Sequence, residues 1–418
     1  MTAPLVWIFF ILLAISVPVA HAMLGGVAAA LWLDGKPMAV IAQRLYTPTQ
    51  SFPMLAIPFF ILAGNLMMSG KFGVYLVNIA RLIVGNFKGG LGQVSIIGSV
   101  MFGGVSGSAV ADASALGNAL IPVQKKEGYP AGFSAAINSA SSTVSVLIPP
   151  SIPLILFGLV SNVSIVDLFI AGILPGVMLG VGMFAAVAVV SGIKNLPRSP
   201  LEGGFRAFKS QIFAAIPALL MPIFVIGTLR FGVATPTEVS VMAVAYALLV
   251  SGLVYRDLTW RGIWQASVDT GLMTGAVMII IMASSTIQWV LTAERVPQEL
   301  AEWVQLTFSE PWMVILALNV VMLIVGAFLD LPAAVLLLGP LFVTIGNAIG
   351  LDLVQLGLMM VVNLAIGLYT PPVGTTLFIS SAISGASIGQ TVKWLLPFYG
   401  VAIVVLLLIS YVPALTIY

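Results

Sequence analysis

Pro149-Pro150 and Pro371-Pro372 are the only two Pro-Pro dipeptides in this chain of 418 residues, and each lies in an apolar stretch rich in hydroxyl side chains. Proline has no backbone N–H and clashes with the preceding helical turn, so each pair enforces a break that leaves carbonyl oxygens free. Free carbonyls at one cut end and free N–H groups at the other are costly in hydrocarbon unless something polar meets them. Carbonyl and hydroxyl oxygens are hard ligands that suit an alkali cation. The half-helix that restarts after a break turns partial positive charge toward a carboxylate. Asn138, Ser141, Ser142, Thr143 and Ser145 approach the first break, Ser106 and Ser108 lie upstream, and Thr370, Thr375 and Thr376 flank the second. Asp112 and Asp330 are isolated carboxylates, each either a cap on a helix N-terminus or part of an ion or proton site. Ser108, Asp112, Ser141 and Thr376 are the candidate contacts to an anionic substrate. Taken singly, each hydroxyl reads as bonded to the carbonyl one turn back, and each proline pair as a kink. The same set recurs twice along the chain, and the recurrence favours a binding site at mid-membrane depth.

That recurrence has a fixed period. The two proline pairs are 222 residues apart (371 − 149), and the same shift carries Gly104 onto Gly326, Gly117 onto Gly339 and Ala111 onto Ala333. The chain therefore reads as two related halves, 1–193 and 210–418, joined by a polar linker at 194–209 that holds two prolines and four cations. Internal duplication in a membrane protein points to transport.

With 60% hydrophobic and 7% charged residues and a mean hydropathy of +1.15, the chain exceeds what a water-soluble core can hide, and it is expected to be an all-α polytopic membrane protein. Its apolar runs are continuous and lack the period-two alternation of a barrel. A net charge of +2 and basic runs no longer than Lys125-Lys126 give no case for nucleic-acid binding. The lack of cysteine excludes thiolate metal sites and cysteine nucleophiles. One histidine, no phosphate loop and no paired carboxylates within a span argue against an enzyme. Ala20-His21-Ala22 mimics a signal-peptidase site, but no positive residue precedes it and apolar sequence continues to Leu33, so the segment is expected to be retained.

Three spans are expected at the start of each half, those of the second at 211–229, 238–254 and 265–291. In the first half, 5–33 reads as a tight, tilted hairpin and 54–70 as the third span. Amphipathic segments follow at 71–88 and 293–309, suited to lie at the interface. Next, 91–105 and 110–123 have only about 14 residues each, too short to cross separately, so they predict a re-entrant hairpin within 91–124 whose tip is Ser106-Gly107-Ser108. Its counterpart covers 311–348 and turns at Asp330-Leu331-Pro332. Each hairpin leads into a broken helix, 132–162 interrupted at 148–151 and 353–384 interrupted at 370–375, and a last span closes each half. If the first hairpin enters from the cytoplasm, twelve of the sixteen Lys and Arg residues lie inside, and Lys36, Arg44, Arg230 and Arg295 lie outside. The positive-inside rule selects that topology over its reverse, which makes the halves an inverted repeat.

The run Gly103-Gly104-Val105-Ser106-Gly107-Ser108-Ala109-Val110-Ala111-Asp112 comes ahead of Ile148-Pro149-Pro150-Ser151-Ile152 and Tyr369-Thr370-Pro371-Pro372-Val373-Gly374. Together they resemble the large membrane subunit of tripartite ATP-independent periplasmic (TRAP) transporters, over essentially the whole chain. The resemblance implies a bacterial inner-membrane, elevator-type importer driven by sodium as coupling ion, with no cofactor, and with a transport domain moving in a scaffold. Its cargo would be a small organic acid such as a C4-dicarboxylate, keto acid or sialic acid. The implied partners are a periplasmic substrate-binding protein and a small four-helix membrane subunit. It also implies one sodium site at Ser106, Ser108, Asn138 and Pro149 and another at Gly326, Pro371, Gly374 and Thr375. A self-sufficient sodium- or proton-coupled carboxylate carrier or antiporter is the alternative, and a channel is a more distant one.

Overall fold

The computed structural model describes residues 1–68, 70, 72–199 and 204–416. Ser69, Lys71 and residues 200–203 of the expected linker lie outside them. The N-terminal hairpin forms as α1 (Thr2–Ala14) and α2 (Val19–Leu33), broken ahead of Pro18 and packed on each other. A Cβ at Gly26 would stand 3.0 Å from the Leu5 carbonyl oxygen, so the glycine sets how closely the two backbones approach. After α3 (Ala39–Tyr46), a bend of 70° leads through short 3-10 turns into α4 (Ala56–Met68). The amphipathic segment forms α5 (Phe72–Val84).

The first hairpin is α6 (Gly90–Ser106) and α7 (Ala109–Lys126). Its arms of 17 and 18 residues are longer than the sequence spacing predicts, because the helix continues through the polar Gln124, Lys125 and Lys126. The first broken helix is α8 (Ala131–Ser141), a 3-10 segment (Ser142–Val146) and α9 (Ile152–Ser161). The interruption thus starts at Ser142 and not at 148, since a run of Ser and Thr bonding backward tightens the helix before the prolines end it. α10 (Ile165–Ile193) closes this part of the chain.

α11 (Gly204–Arg230) starts inside the expected linker 194–209, since no proline or further glycine interrupts the chain between Gly204 and Pro217. α12 (Pro236–Leu249), α13 (Trp260–Ala293) and the amphipathic α14 (Val296–Thr307) follow. The second hairpin is α15 (Pro311–Gly326) and α16 (Leu331–Ala348), so its turn is 327–330, four residues ahead of Leu331. Leu331-Pro332 is the first turn of α16 and not the tip, because a proline there loses no helical bond. Its arms diverge, α15 packing on α17 (Leu353–Gly367) and α16 on α9, α17 and α13. α18 (Thr375–Ser384) completes the second broken helix, and α19 (Ile388–Tyr411) is the last long helix. The 222-residue shift carries the bounds of α7 onto those of α16, and the start of α8 onto that of α17.

Among the described residues, five helices are long and apolar enough to cross a bilayer: α10, α12 with its extension to Val254, α13, α16 and α19. The chain is a multi-pass, all-helical membrane protein. α4, α12 and α13 pack together with α2 and α3, whereas α8, α9, α17 and α18 pack among the hairpin arms.

Candidate functional site

Gly107 and Ser108 form the first tip. Gly107 sits at φ +57, in the left-handed region open to glycine, and a Cβ there would stand 2.0 Å from the Pro150 carbonyl oxygen. The tip therefore lies directly on the first break. One turn back, a Cβ at Gly103 would meet the Ser145 Cα at 2.7 Å. Ser108 caps α7, its Oγ accepting from the Ala111 N–H at 3.4 Å, and the Ser106 Oγ accepts from the Ser108 N–H at 3.4 Å. Ser151 caps α9 and donates across the break to the Val146 carbonyl. Ser142, Thr143 and Ser145 donate one turn back to Ser139, Ala140 and Ser142 at 3.0, 2.7 and 2.6 Å. Their protons are engaged, and their oxygens keep lone pairs for a further contact.

The second tip repeats the arrangement with different chemistry. Gly326, at the end of α15, faces Gly367 so closely that a Cβ on the latter would lie 2.2 Å from the Gly326 carbonyl oxygen. The Val373 N–H donates to Ala327 at 3.2 Å, tying tip to break. Asp330 occupies the N-cap position of α16 without making a cap bond, and its Oδ1 accepts from the Thr375 hydroxyl at 3.5 Å. A Cβ on Gly374, at φ +35, would lie 3.0 Å from the Thr370 carbonyl oxygen and 3.3 Å from that of Leu368, so two carbonyls converge on Gly374. Pro371, Pro372 and Val373 are exposed, whereas Pro149 and Pro150 are buried. One break is open to its surroundings and the other is covered by its tip.

Both tips face one cavity of about 210 Å³. Gly107 and Ser108 line it from the first hairpin, Asp330 and Pro332 from the second, Ile152 from the start of α9, and Met273 and Val277 from α13. A second cavity, of about 240 Å³, shares Ser108, Ile152 and Met273 and runs along α7 past Ser114 and Asn118, with Asn65 and Met68 of α4 opposite.

The first tip thus sits on Pro150 and Ser151, next to Pro149, and the turn after Gly326 is tied to Val373, between Pro371 and the Gly374-Thr375 start of α18. Asn138 sits elsewhere, between the two broken helices, its Nδ2 donating at 2.8 Å both to the Ala113 carbonyl and to the Ser380 hydroxyl. Of the four candidate substrate contacts, only Ser108 lines these cavities. Ser141 is enclosed and accepts from Ser99 at 3.1 Å. Thr376 is enclosed and donates to the carbonyls of Leu368 and Ser139 at 2.9 and 3.1 Å. Asp112 lies in the first turn of α7, and the N-cap bond itself is made by Ser108. It is 0% exposed and has no charged partner among the described residues. The Ser99 and Ser145 hydroxyls lie beside it, and they are also within bonding distance of the Ser141 Oγ and the Ser142 carbonyl. A carboxylate enclosed in this way needs a proton or a cation as its partner.

The sequence reading missed Ser99, Ser139 and Ser380, which share bonds with expected residues. It also missed Ser114 and Asn118, which lie three and seven residues past Ala111 and so share its cavity face of α7. Asn138→Ala removes two 2.8 Å bonds and strands buried acceptors, so it should cost about 1–3 kcal/mol, read as a lower unfolding temperature in detergent.

The model for the tripartite ATP-independent periplasmic transporter DctM component matches residues 6–415. The chain is 48% identical to the y4mL protein of Sinorhizobium fredii, over the full length of both. It is 34% identical to the C4-dicarboxylate TRAP transporter large permease protein DctM of Pseudomonas aeruginosa, over 94% of this chain and 92% of that one. Its fold is similar to that of the Alcanivorax borkumensis YdaH transporter, with a TM-score of 0.58 and 14% identity over 90% of this chain and 86% of that one. With two hairpin tips seated on two broken helices, and a family match from end to end, the chain belongs to the DctM component family of tripartite ATP-independent periplasmic transporters.

Proposed function

We propose that this chain is the sodium-coupled membrane subunit that imports a small organic acid across the bacterial inner membrane. The observation that carries the reading is the single cavity bounded by Ser108 and Asp330, each beside a glycine-seated contact between tip and break. The donors suit sodium. Ser106 and Ser108 flank the glycine seated on the Pro150 carbonyl, and Asp330 meets the Thr375 hydroxyl next to Gly374, which approaches the Thr370 carbonyl. The N-termini of α7 and α9, with Ser108, offer N–H groups and dipole to the carboxylate.

The halves form an inverted repeat, 1–193 and 210–418, as their charge distribution and matched helix bounds support. Hairpins and broken helices move as one unit. Asn138–Ser380, Thr376–Ser139 and the Lys125 ammonium on the Ser384 carbonyl at 2.6 Å all tie the first hairpin and broken helix to α18. α2, α4, α12 and α13 belong to the frame, together with the interfacial helices. Sodium orders the tips, the anion binds, and the unit slides between faces. A periplasmic binding protein delivers the substrate, and a small membrane subunit braces the frame. The C4-dicarboxylate relative supports this class of cargo, and keto acids or sialic acids present the same carboxylate.

Reconstitution tests this reading. Proteoliposomes with the chain, the small subunit and the cognate binding protein are given an inward sodium gradient and a panel of labelled C4-dicarboxylate, keto acid and sialic acid. Uptake of at least one anion is expected only with all three proteins and sodium. Uptake by the chain alone would establish the self-sufficient carrier instead.

A further inference from the structure

Pro340 lies inside α16, so the Leu336 carbonyl four residues earlier has no N–H to accept within its own helix. An unpaired carbonyl in a membrane helix draws donors from its neighbours. Here they come from α13: the Ser284 hydroxyl donates to the Leu336 oxygen at 2.7 Å, and the Gln288 amide donates to it at 3.3 Å. Gln288 also reaches the Ser284 Oγ at 3.3 Å, so the three groups form one cluster. Ser284 is fully buried, and the cluster borders a cavity of about 260 Å³ that Leu336 and Gln288 help to line.

Among the described residues, no side-chain bond from α4 to α7 matches this cluster, and the internal proline of α7, Pro122, lies four residues further along than the counterpart of Pro340. The 222-residue shift places Ser114 opposite Leu336 and Asn118 opposite Pro340. Asn118 keeps its backbone N–H, and its side chain also donates to the Ser114 carbonyl, at 2.8 Å. Leu62 and Leu66 of α4 stand where Ser284 and Gln288 stand in α13. The frame therefore grips the returning arm of the second hairpin by hydrogen bonds, and faces that of the first across a cavity lined by Ser114 and Asn118. We infer that Ser284, Gln288 and the carbonyl freed by Pro340 form a latch that holds the mobile unit against the frame in this one of its two positions. The latch rests on the alternating-exposure reading above. It must open for the unit to slide, and its strength sets the balance between the two positions.

The chain has no cysteine, so single substitutions report accessibility cleanly. Ser114→Cys reports the cavity along α7 and Ser285→Cys the cavity at the latch. Each is labelled with N-ethylmaleimide in membranes that hold the chain with its partner subunit. Ser284→Ala with Gln288→Leu should raise the Ser285→Cys to Ser114→Cys labelling ratio about fivefold, the equivalent of one net hydrogen bond. Ser284→Thr, which keeps a donor, should restore the wild-type ratio. Pro340→Ala returns an N–H to the Leu336 oxygen, so it should move the ratio the same way by less and add little once the donors are gone. A ratio that sodium shifts in the wild type, but that none of these variants shifts, overturns the latch. A ratio unmoved by sodium and by every variant overturns the alternating-exposure reading with it.

Discussion

Gly107→Ala should abolish more than nine-tenths of sodium-driven uptake while leaving the protein folded in the membrane. The new methyl carbon would sit 2.0 Å from the Pro150 carbonyl oxygen, and the backbone there holds φ +57. A non-glycine residue in the left-handed region costs about 1–2 kcal/mol before any contact is counted. The methyl then cannot be accommodated unless tip and break part, since the obstructing atom is backbone. A gap there would pull Ser106 and Ser108 away from the carbonyls of the first break and open the cavity between the tips. At about 1.4 kcal/mol per tenfold, the conformational term alone is worth about a decade in occupancy of the closed tip. Initial rates in proteoliposomes, normalised to inserted protein, check this. Gly128→Ala is the control, a left-handed turn with open space around it. Equal loss in both variants would assign the effect to backbone strain, not to seating of the tip.

The second large effect is expected at the other tip. Thr375→Ala removes the hydroxyl that meets Asp330 at 3.5 Å, next to Gly374 and its close approach to the Thr370 carbonyl. If this group is a sodium ligand, the sodium concentration for half-maximal uptake should rise about tenfold, the scale of one charge-assisted contact. Thr375→Ser should stay near wild type. Asp330→Asn should shift the midpoint at least as far, because it removes the negative charge that a cation at this tip would offset. A sodium titration of uptake reads all three. A midpoint unchanged in both Thr375→Ala and Asp330→Asn would remove the second tip from the coupling.

Much of this organisation is written in residue types that resist helix. The proline pairs and tip glycines stand out in any apolar stretch, and their common spacing marks both hairpins and both breaks. Boundaries were less legible for identifiable reasons. Lys125 and Lys126 look like the end of a segment, yet the helix runs on to Lys126, and Lys125 reaches the end of α18. Leu331-Pro332 looks like a turn, yet proline fits the first turn of a helix as well as it fits a tip. Asn138 and Thr376 carry the polar character expected of ligands. Their partners Ser380 and Ser139 are 242 and 237 residues distant, and that pairing only the folded chain displays. Asp112 is the converse: its type was noticed, but its enclosure depends on Ser99 and Ser145 closing over it from two other elements. Local rules reach breaks and caps, and they stop where one half packs on the other.

The central claim is that the two tip-and-break pairs hold sodium. It can be tested without knowing the substrate, by thermal unfolding of the purified chain in detergent in sodium chloride against potassium chloride at equal ionic strength. An ion that binds only the folded state stabilises it by about 2.7 kcal/mol at a hundredfold excess over its dissociation constant. Sodium should therefore raise the unfolding temperature of the wild type above its value in potassium, and Ser108→Ala with Thr375→Ala should remove most of that difference. Identical unfolding of the wild type in the two salts, across the full titration range, would contradict the claim.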